Sequence, residues 1–368
     1  MKTIVVILGT RPEAIKLAPV ILELKKQPGY RVLVCNTEQQ KELSNQTLSF
    51  FGINADYKLD VMRPNQTLPG VQACILSALS GIYEQNTIDA TIVQGDTMTV
   101  FCGALVSFYN KVPVYHVEAG LRSYDLSEPF PEEAMRQMTA RITSLHFAPT
   151  EKAAAALQKE GIPEEHIFMT GNTVIDALSC LAPETMLSAE QKLSSMGICL
   201  NDKLVLITVH RRENHGERLD RILSAVGELT SQYPDHQFVL PVHPNPNVHD
   251  KIFAALKNKP NVILTTPMDY PEIVCMMKHT KLVLTDSGGI QEEAPTFGNP
   301  VLVMRYETER TEGVEAGFAK LVGADKEVIL KECSAILSQE KAATRLDGSQ
   351  NPYGDGHSAE RIINIIQQ

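Results

Sequence analysis

The feature of this sequence that most constrains its fold is a regular alternation of short, β-branched apolar runs with longer segments of helical periodicity. The first run, Thr3–Leu8, is followed by Glu13–Lys26, in which apolar residues recur at helical spacing. The series continues with the runs Arg31–Cys35, Ala90–Val93 and Val112–His116. Because these runs are continuously apolar, they predict a parallel sheet that is covered by helices on both faces.

The alternation of apolar runs and helical segments restarts after the more polar segment Ala182–Asn201. This restart indicates a second domain. The runs of this second series are Leu204–Thr208, Phe238–Leu240, Val262–Leu264, Leu282–Thr285 and Val301–Met304. Two such series predict an α/β protein of two Rossmann-like, doubly wound domains with a ligand-binding cleft between them. We expect the domains at 1–171 and 172–354, with a C-terminal helix at 355–368 that packs back on the first domain.

Composition and charge exclude several classes of function. A net charge of −10 argues against a nucleic-acid-binding surface, and no apolar stretch is long enough to predict a membrane-spanning helix. The seven cysteines are odd in number and scattered without a C-x-x-C pair, which favours a reducing, cytoplasmic setting over a disulfide framework. His243 and His249 lack a typical metal-ligand spacing, so we expect no metal site.

Two loops that follow predicted strands have the chemistry of anion-binding sites. In the first, Arg11 precedes Pro12 at a predicted helix start and Lys16 lies about one turn further on, so the two side chains form a candidate anion clamp. The alternative is that both side chains are solvated and bind no anion.

The second loop is Thr285–Gly289, which contains Ser287, Gly288 and Gly289. The paired glycines allow close approach of backbone N–H groups to a diphosphate. Glu293 is a candidate acceptor for ribose hydroxyls, and a tight strand–helix turn is the alternative for the whole segment. The chain lacks a G-x-G-x-x-G motif, which argues against a resident dinucleotide cofactor.

Three carboxylates, Asp96, Glu118 and Glu132, occur at predicted strand ends or in a proline-rich loop. Carboxylates held in a cleft are suited to proton abstraction and donation. Asp96 has the alternative role of a helix cap, and Glu133 is expected in the first turn of a helix. His210 follows the first strand of the second domain as a candidate phosphate ligand or acid, with a buried core histidine as the alternative.

These segments together resemble the non-hydrolysing UDP-N-acetylglucosamine 2-epimerases. The matching motifs, in chain order, are GTRPEAIKLAP at 9–19, GDT at 95–97, HVEAGLR at 116–122, PEEA at 131–134, GNTVIDAL at 171–178, HRREN at 210–214, TDSGGIQEEAP at 285–295 and NPYGDG at 351–356. The resemblance implies the glycosyltransferase-B architecture, a homodimer, and interconversion of UDP-GlcNAc and UDP-ManNAc for surface polysaccharide synthesis. It implies elimination of UDP to 2-acetamidoglucal followed by re-addition, without a cofactor.

The resemblance also implies roles for individual residues. Asp96, Glu118 and Glu132 would transfer protons, His210 would serve the phosphate or catalysis, and which carboxylate is acid or base is left open. Asp96, Glu118 and His210 would also contact the substrate. The second domain would bind UDP, and the nucleotide-binding positions implied across both domains are Arg11, Lys16, Met268, Ile273, Ser287, Gly288, Gly289, Glu293 and Arg310.

The sequence departs from the family pattern at several of these motifs. Gln94 stands where His is usual, and Met98, Phe130, Met268 and Ile273 are also atypical. Gln39–Lys41 replaces a Gln-His-Arg-like stretch through which many members bind activating substrate. The alternative functions are a glycosyltransferase of the same architecture, a hydrolysing relative, or a sugar-nucleotide sensor without turnover.

Overall fold

The computed structural model describes residues 1–243, 245–340 and 346–368, and it divides into two compact units. The first unit is Met1–Cys180 with Tyr353–Gln368, and the second is Leu181–Pro352. The division follows Cys180 rather than residue 171, because the helix Thr173–Cys180 packs against the first helix of the chain.

The first unit is built on a seven-stranded parallel sheet with the order β3-β2-β1-β4-β5-β6-β7. The strands are β1 (Lys2–Leu8), β2 (Tyr30–Asn36), β3 (Tyr57–Lys58), β4 (Ala90–Gln94), β5 (Val114–Val117), β6 (Leu145–Ala148) and β7 (Ile167–Met169). Its central strands are buried over most of their length, as continuously apolar runs predict. β3, β6 and β7 were missed in the sequence because each is short and carries little apolar periodicity.

The helices of the first unit cover both faces of this sheet. They are α1 (Arg11–Lys25), α2 (Lys41–Phe50), α3 (Leu68–Gln85), α4 (Met98–Tyr109), α5 (Glu132–Ile142), α6 (Glu151–Lys159) and α7 (Thr173–Cys180). α1 begins with a capping box formed by Thr10 and Glu13 and has Pro12 in its first turn, so the chain turns directly from β1 into the helix.

The second unit repeats the arrangement with a six-stranded parallel sheet of order β10-β9-β8-β11-β12-β13. The strands are β8 (Leu204–Thr208), β9 (Gln237–Pro241), β10 (Val262–Thr265), β11 (Leu282–Thr285), β12 (Val301–Val303) and β13 (Ala319–Leu321). The helices are α8 (Pro183–Ser195), α9 (Glu217–Gln232), α10 (Pro246–Leu256), α11 (Tyr270–His279), α12 (Gly288–Glu293), α13 (Thr311–Glu315) and α14 (Lys326–Leu337).

The last helix, α15 (Ser358–Ile366), belongs to the first unit. It packs against α1 and α7, and the Asp176 carboxylate accepts a 2.7 Å hydrogen bond from the Ala359 N–H. Just before it, the Asn172 N–H donates to the Tyr353 carbonyl at 2.7 Å. Among the helices of the described residues, none is long and apolar enough to cross a bilayer.

Candidate active site

In each unit the strand order reverses direction beside the first strand, and several of the candidate residues follow the strands at that point. In the first sheet the chain winds outward on both sides of the β1/β4 pair, and in the second on both sides of β8/β11. Parallel sheets form ligand-binding crevices at such switch points, outside the carboxyl ends of the strands. Ligand-binding residues are therefore expected in the loops that follow β1, β4, β8 and β11.

Glu118 lies directly after β5, and its carboxylate is buried. Its Oε2 accepts hydrogen bonds from Lys16 Nζ at 2.5 Å and from Gln94 Nε2 at 2.7 Å. Its backbone is left-handed, with φ 62°, a conformation that costs a non-glycine residue about 1–3 kcal/mol. The packing and hydrogen bonds around Glu118 must offset that cost, and they hold its carboxylate in one place.

Asp96 lies one residue beyond Gly95, whose N–H donates to the carbonyl of Val117 at 3.1 Å. Its carboxylate is paired with Arg136 of α5, at 2.8 Å from Nε and 2.6 Å from Nη2. The capping alternative for Asp96 is wrong, because Thr97 is the N-cap of α4 and its Oγ1 accepts from the Val100 N–H. Asp96 is thus left to make a side-chain ion pair.

α5 supplies the other acidic residues of this region. Glu132 and Glu133 form its first turn, so Glu132 begins a helix rather than lying within a loop. Glu133 is buried, and its carboxylate accepts from the backbone N–H groups of Ser123 and Tyr124 and pairs with Arg136. Burial raises the pKa of Glu133, but these hydrogen bonds outweigh it and the net shift is downward. Arg136 was not singled out in the sequence, because only the folded chain brings it to Asp96.

Glu13 is a second buried carboxylate that sequence analysis did not assign to the site. Its Oε2 accepts from the N–H groups of Gly9 and Thr10 at 2.6 and 2.9 Å, and its Oε1 accepts from the Thr97 hydroxyl. Glu13 therefore ties the loop after β1 to the loop after β4. Burial raises its pKa from 4.5 to about 7. Its capping-box spacing from Thr10 was the available signal.

Arg11, the other residue of the predicted anion clamp, is the first residue of α1. Its backbone N–H donates to Gln40 Oε1 at 3.0 Å, which places the atypical Gln39–Lys41 stretch next to the start of α1.

Two of the residues that depart from the family pattern differ in their surroundings. Met98 is packed in the apolar core, whereas Phe130 is 68% exposed.

In the second unit, Asp286 organises the loop that carries His210. The fully buried Asp286 carboxylate accepts from the N–H groups of His210 and Arg211 and from Asn214 Nδ2, all near 3.0 Å. The His210 ring Nδ1 lies 3.2 Å from Asp286 Oδ1, while 42% of the His210 side chain is exposed. The core-histidine alternative is therefore wrong, and a carboxylate orients an accessible imidazole.

The glycine loop, Thr285–Gly289, lies next to the guanidinium group of Arg310. Ser287 is the N-cap of α12, and a Cβ placed on Gly288 would lie 2.9 Å from Arg310 Cζ, whereas a Cβ on Gly289 would meet nothing within 4 Å. The Arg310 guanidinium pairs with Glu292 at 3.0 Å and with Glu309 at 3.3 Å. Because α12 has only six residues, the positive charge here comes mainly from Arg310.

The other predicted nucleotide positions lie on separate elements of the same unit. Met268 is buried immediately before α11, Ile273 is half-buried on α11, and Glu293 is buried at the end of α12. The structure therefore brings His210 to Asp286 and Gly288 to Arg310, and it assigns Met268 and Ile273 to a different segment from the switch-point loops.

Known proteins resemble this chain over nearly its whole length. A family model described as UDP-N-acetylglucosamine 2-epimerase matches residues 22–367. The UDP-N-acetylglucosamine 2-epimerase of Yersinia pestis is 44% identical over 368 residues, covering 99% of this chain and 98% of the relative. The crystal structure of UDP-GlcNAc 2-epimerase from Neisseria meningitidis bound to UDP-GlcNAc is 43% identical, with TM-score 0.88 and all of both chains covered.

A more distant likeness bears on the fold alone. Acinetobacter baumannii MurG is 13% identical, with TM-score 0.60 over 100% of this chain and 99% of that chain. Together with the two parallel sheets, these likenesses confirm the predicted fold class, α/β with two Rossmann-like units of the glycosyltransferase-B type.

Proposed function

The chain belongs to the UDP-N-acetylglucosamine 2-epimerase family, an isomerase family, and we propose that it interconverts UDP-GlcNAc and UDP-ManNAc by elimination and re-addition of UDP. The observation that carries the proposal is Glu118, a buried carboxylate hydrogen-bonded to Lys16 and Gln94 at the carboxyl end of β5. The neighbouring strand β4 leads to a second carboxylate, Asp96.

The chemistry needs such a set of carboxylates. The hydrogen at C2 of the sugar is not next to a carbonyl, so its direct removal is strongly uphill. As the C1–O bond to UDP breaks, positive charge develops at C1 and the C2–H bond becomes acidic. A carboxylate then takes the C2 proton, the C–H electron pair forms the C1=C2 double bond of 2-acetamidoglucal, and UDP leaves with the C1–O pair.

In the return step, C2 receives its proton on the other face of the ring, while UDP adds back to the face of C1 that it left. A protonated group delivers a proton to C2 from the opposite side, and an oxygen of the UDP diphosphate re-forms the bond to C1. Epimerisation thus needs proton-transfer groups for both faces, which we propose are drawn from Asp96, Glu118 and Glu132. Lys16 and Arg136 supply the positive charge that keeps Glu118 and Asp96 in position.

We propose that the second unit binds the UDP group. His210, oriented by Asp286, binds a phosphate group or takes part in catalysis. Arg310, beside Gly288, supplies positive charge that attracts the diphosphate. The open space over Gly289 allows a phosphate to approach the backbone. Ser287 and Glu293 also contact the nucleotide, and Met268 and Ile273 contact its base. Arg11, in the first unit, contacts the substrate.

Two further properties follow from the family resemblance. We propose that the chain functions as a homodimer and that its product feeds surface polysaccharide synthesis. The adjacent aromatic side chains of Phe108 and Tyr109, 53% and 70% exposed at the end of α4, are available for a subunit contact. Light scattering of the purified chain should give twice its mass of 40.6 kDa, and a monomer would contradict the dimer.

The function is tested with purified protein and UDP-GlcNAc as the sole substrate in deuterium oxide. NMR should show deuterium entering C2 of the sugar together with the appearance of UDP-ManNAc. Binding of UDP-GlcNAc without exchange at C2 would reject epimerisation and leave a sensor or a transferase, whereas free ManNAc and UDP as the main products would indicate a hydrolysing enzyme. Glu84→Gln, on the exposed face of α3, is the control variant that should keep full exchange.

A further inference from the structure

The second unit contains a cluster of a thiol, an imidazole and a carboxylate outside the residues proposed for the substrate. Cys275 and His279 lie four residues apart on α11, and Glu190 lies on α8. The cysteine sulfur, a histidine ring nitrogen and a carboxylate oxygen all lie within 4.8 Å of one another. We propose that these three residues bind one zinc-class divalent metal ion.

The spacing of the ligands matches what a helix provides. Residues four apart on a helix project from one face, so Cys275 and His279 present their side chains as neighbours. In a tetrahedral zinc site with bonds of about 2.0–2.3 Å, ligand atoms lie about 3.5 Å apart. The observed separations, all at most 4.8 Å, therefore require side-chain adjustments of only about 1 Å.

The identity of the ligands selects the metal. A thiolate with an imidazole favours zinc, cobalt or nickel over magnesium and calcium, which prefer oxygen ligands. Cys275 is buried, while Glu190 and His279 are half-buried, so a metal has a route from solvent and a place for water as fourth ligand. On binding, the Cys275 thiol loses its proton to solvent and the sulfur donates its electron pair to the cation.

The helix pair that would carry the metal is already held in register by a second set of contacts. Lys192 of α8 pairs with Glu272 at 2.5 Å and with Asp269 at 3.3 Å, at the N-terminal end of α11. The metal cluster is at the other end, since His279 is the last residue of α11. A cation there also faces the negative end of the helix dipole. The metal would thus fasten the C-terminal end of α11 to α8.

The sequence predicts no metal site, because His243 and His249 lack a typical metal-ligand spacing and the chain has no C-x-x-C pair. Cys275 and His279 are separated by an ordinary helical turn, and Glu190 lies 85 positions before Cys275 in the chain. Only the packing of α8 on α11 brings the carboxylate to the other two groups.

The test uses the full-length protein without a histidine tag, stripped of metal by a chelator and titrated with Co²⁺ under reducing, anaerobic conditions. We expect a thiolate-to-cobalt charge-transfer band that saturates at one Co²⁺ per chain and is displaced by Zn²⁺. Cys275→Ala should abolish the band. His279→Gln and Glu190→Gln should weaken Co²⁺ binding at least tenfold, since loss of even an outer-shell partner costs about 10–100-fold.

Matched controls come from the same unit. Cys199→Ser removes an exposed cysteine and Glu184→Gln removes an exposed carboxylate of α8, and both should bind Co²⁺ as the unaltered protein does. At equal Zn²⁺ concentration, the melting temperature should rise less in His279→Gln than in these controls, while the circular-dichroism spectra of all three metal-free variants should match that of the unaltered protein. The proposal is overturned by absence of the band, by a band that survives Cys275→Ala, or by equal binding in the ligand variants and their controls.

Discussion

Lys16 Nζ and Glu118 Oε2 lie 2.5 Å apart, in side chains that are only 9% and 7% exposed. The pair joins the first helix of the chain to the end of β5, 102 residues later. Burying two charges carries a large desolvation cost, so each partner depends strongly on the other. This dependence can be measured separately from catalysis.

Replacing Lys16 by Met should destabilise the first unit by about 3–5 kcal/mol, because it removes one charge of a buried ion pair. The double variant Lys16→Met/Glu118→Gln should recover a large part of that loss. Urea unfolding measures both, with Lys25→Met on the exposed side of α1 as the control. A Lys16 variant as stable as the Lys25 variant would show that the pair does not carry this energy.

Glu118→Gln should cost stability, because it removes the carboxylate that pairs with Lys16. In the folded variant it should also lower the rate of C2 deuterium exchange by about 10²–10⁴-fold, the usual size of a general acid–base contribution. The amide still accepts a hydrogen bond through its oxygen, but it cannot take a proton from carbon. Exchange at C2 and UDP binding should be measured on the same preparation, beside Glu84→Gln. Normal exchange in Glu118→Gln would remove this residue from the proposed proton transfer.

Asp286→Asn should lower kcat/KM for UDP-GlcNAc at least tenfold. The N–H groups of His210 and Arg211 and the Asn214 amide all donate to Oδ2, so the asparagine oxygen can keep those bonds, but its nitrogen then replaces Oδ1 opposite the His210 Nδ1. The imidazole thus loses the carboxylate that orients it, and a lost hydrogen bond to a charged group costs about 1–3 kcal/mol. Steady-state kinetics would detect the change, and Asp235→Asn, at an 83% exposed side chain, is the control. If both variants behave alike, Asp286 does not position His210 for function.

The two adjacent glycines should respond differently to alanine. Gly289→Ala has open space and should leave stability unchanged, yet raise the Kd for UDP at least tenfold if a phosphate occupies that space. Gly288→Ala should weaken UDP binding and also cost some stability, because its Cβ displaces the Arg310 guanidinium. Calorimetric titration with UDP checks both.

The helical Gly227→Ala is the control for these two variants, because its Cβ would meet only ordinary contacts at 3.9 Å. Unchanged UDP affinity in Gly289→Ala would place the diphosphate elsewhere.

Glu13 should make stability depend on pH. Burial raises its pKa in the folded state to about 7, above the 4.5 of an exposed carboxyl, so the folded protein holds this proton more tightly. Its contribution is fully present below about pH 4.5 and is lost as pH rises through about 7. The shift corresponds to about 3 kcal/mol.

The measurement for Glu13 is the unfolding free energy at several values between about pH 5 and pH 8, compared with Glu13→Gln. The glutamine imitates the neutral carboxyl, so its oxygen still accepts from the loop N–H groups and its amide donates to Thr97. The unaltered protein should lose stability relative to this variant as pH rises. Parallel curves would contradict a raised pKa.

The sequence by itself determined the architecture and the positions of the candidate residues relative to the strands. Continuous apolar runs such as Thr3–Leu8 and Leu282–Thr285 predict parallel strands because both faces of such a strand are buried. Residues that follow these runs, among them Asp96, Glu118 and His210, fall at strand ends because the chain must turn there. Both inferences depend on local periodicity, which a single sequence displays.

Only the tertiary structure decided which groups meet. Arg136 reaches Asp96, Asp286 reaches His210, and Glu190 reaches Cys275 through packing between elements that are far apart in the chain. Burial is likewise a property of the assembled unit, so Glu13 reads in the sequence as an ordinary helix-capping residue and becomes a carboxyl with a raised pKa only once β1, α1 and the loop after β4 surround it. Pairing and desolvation depend on distances in space, and these are set by the fold as a whole.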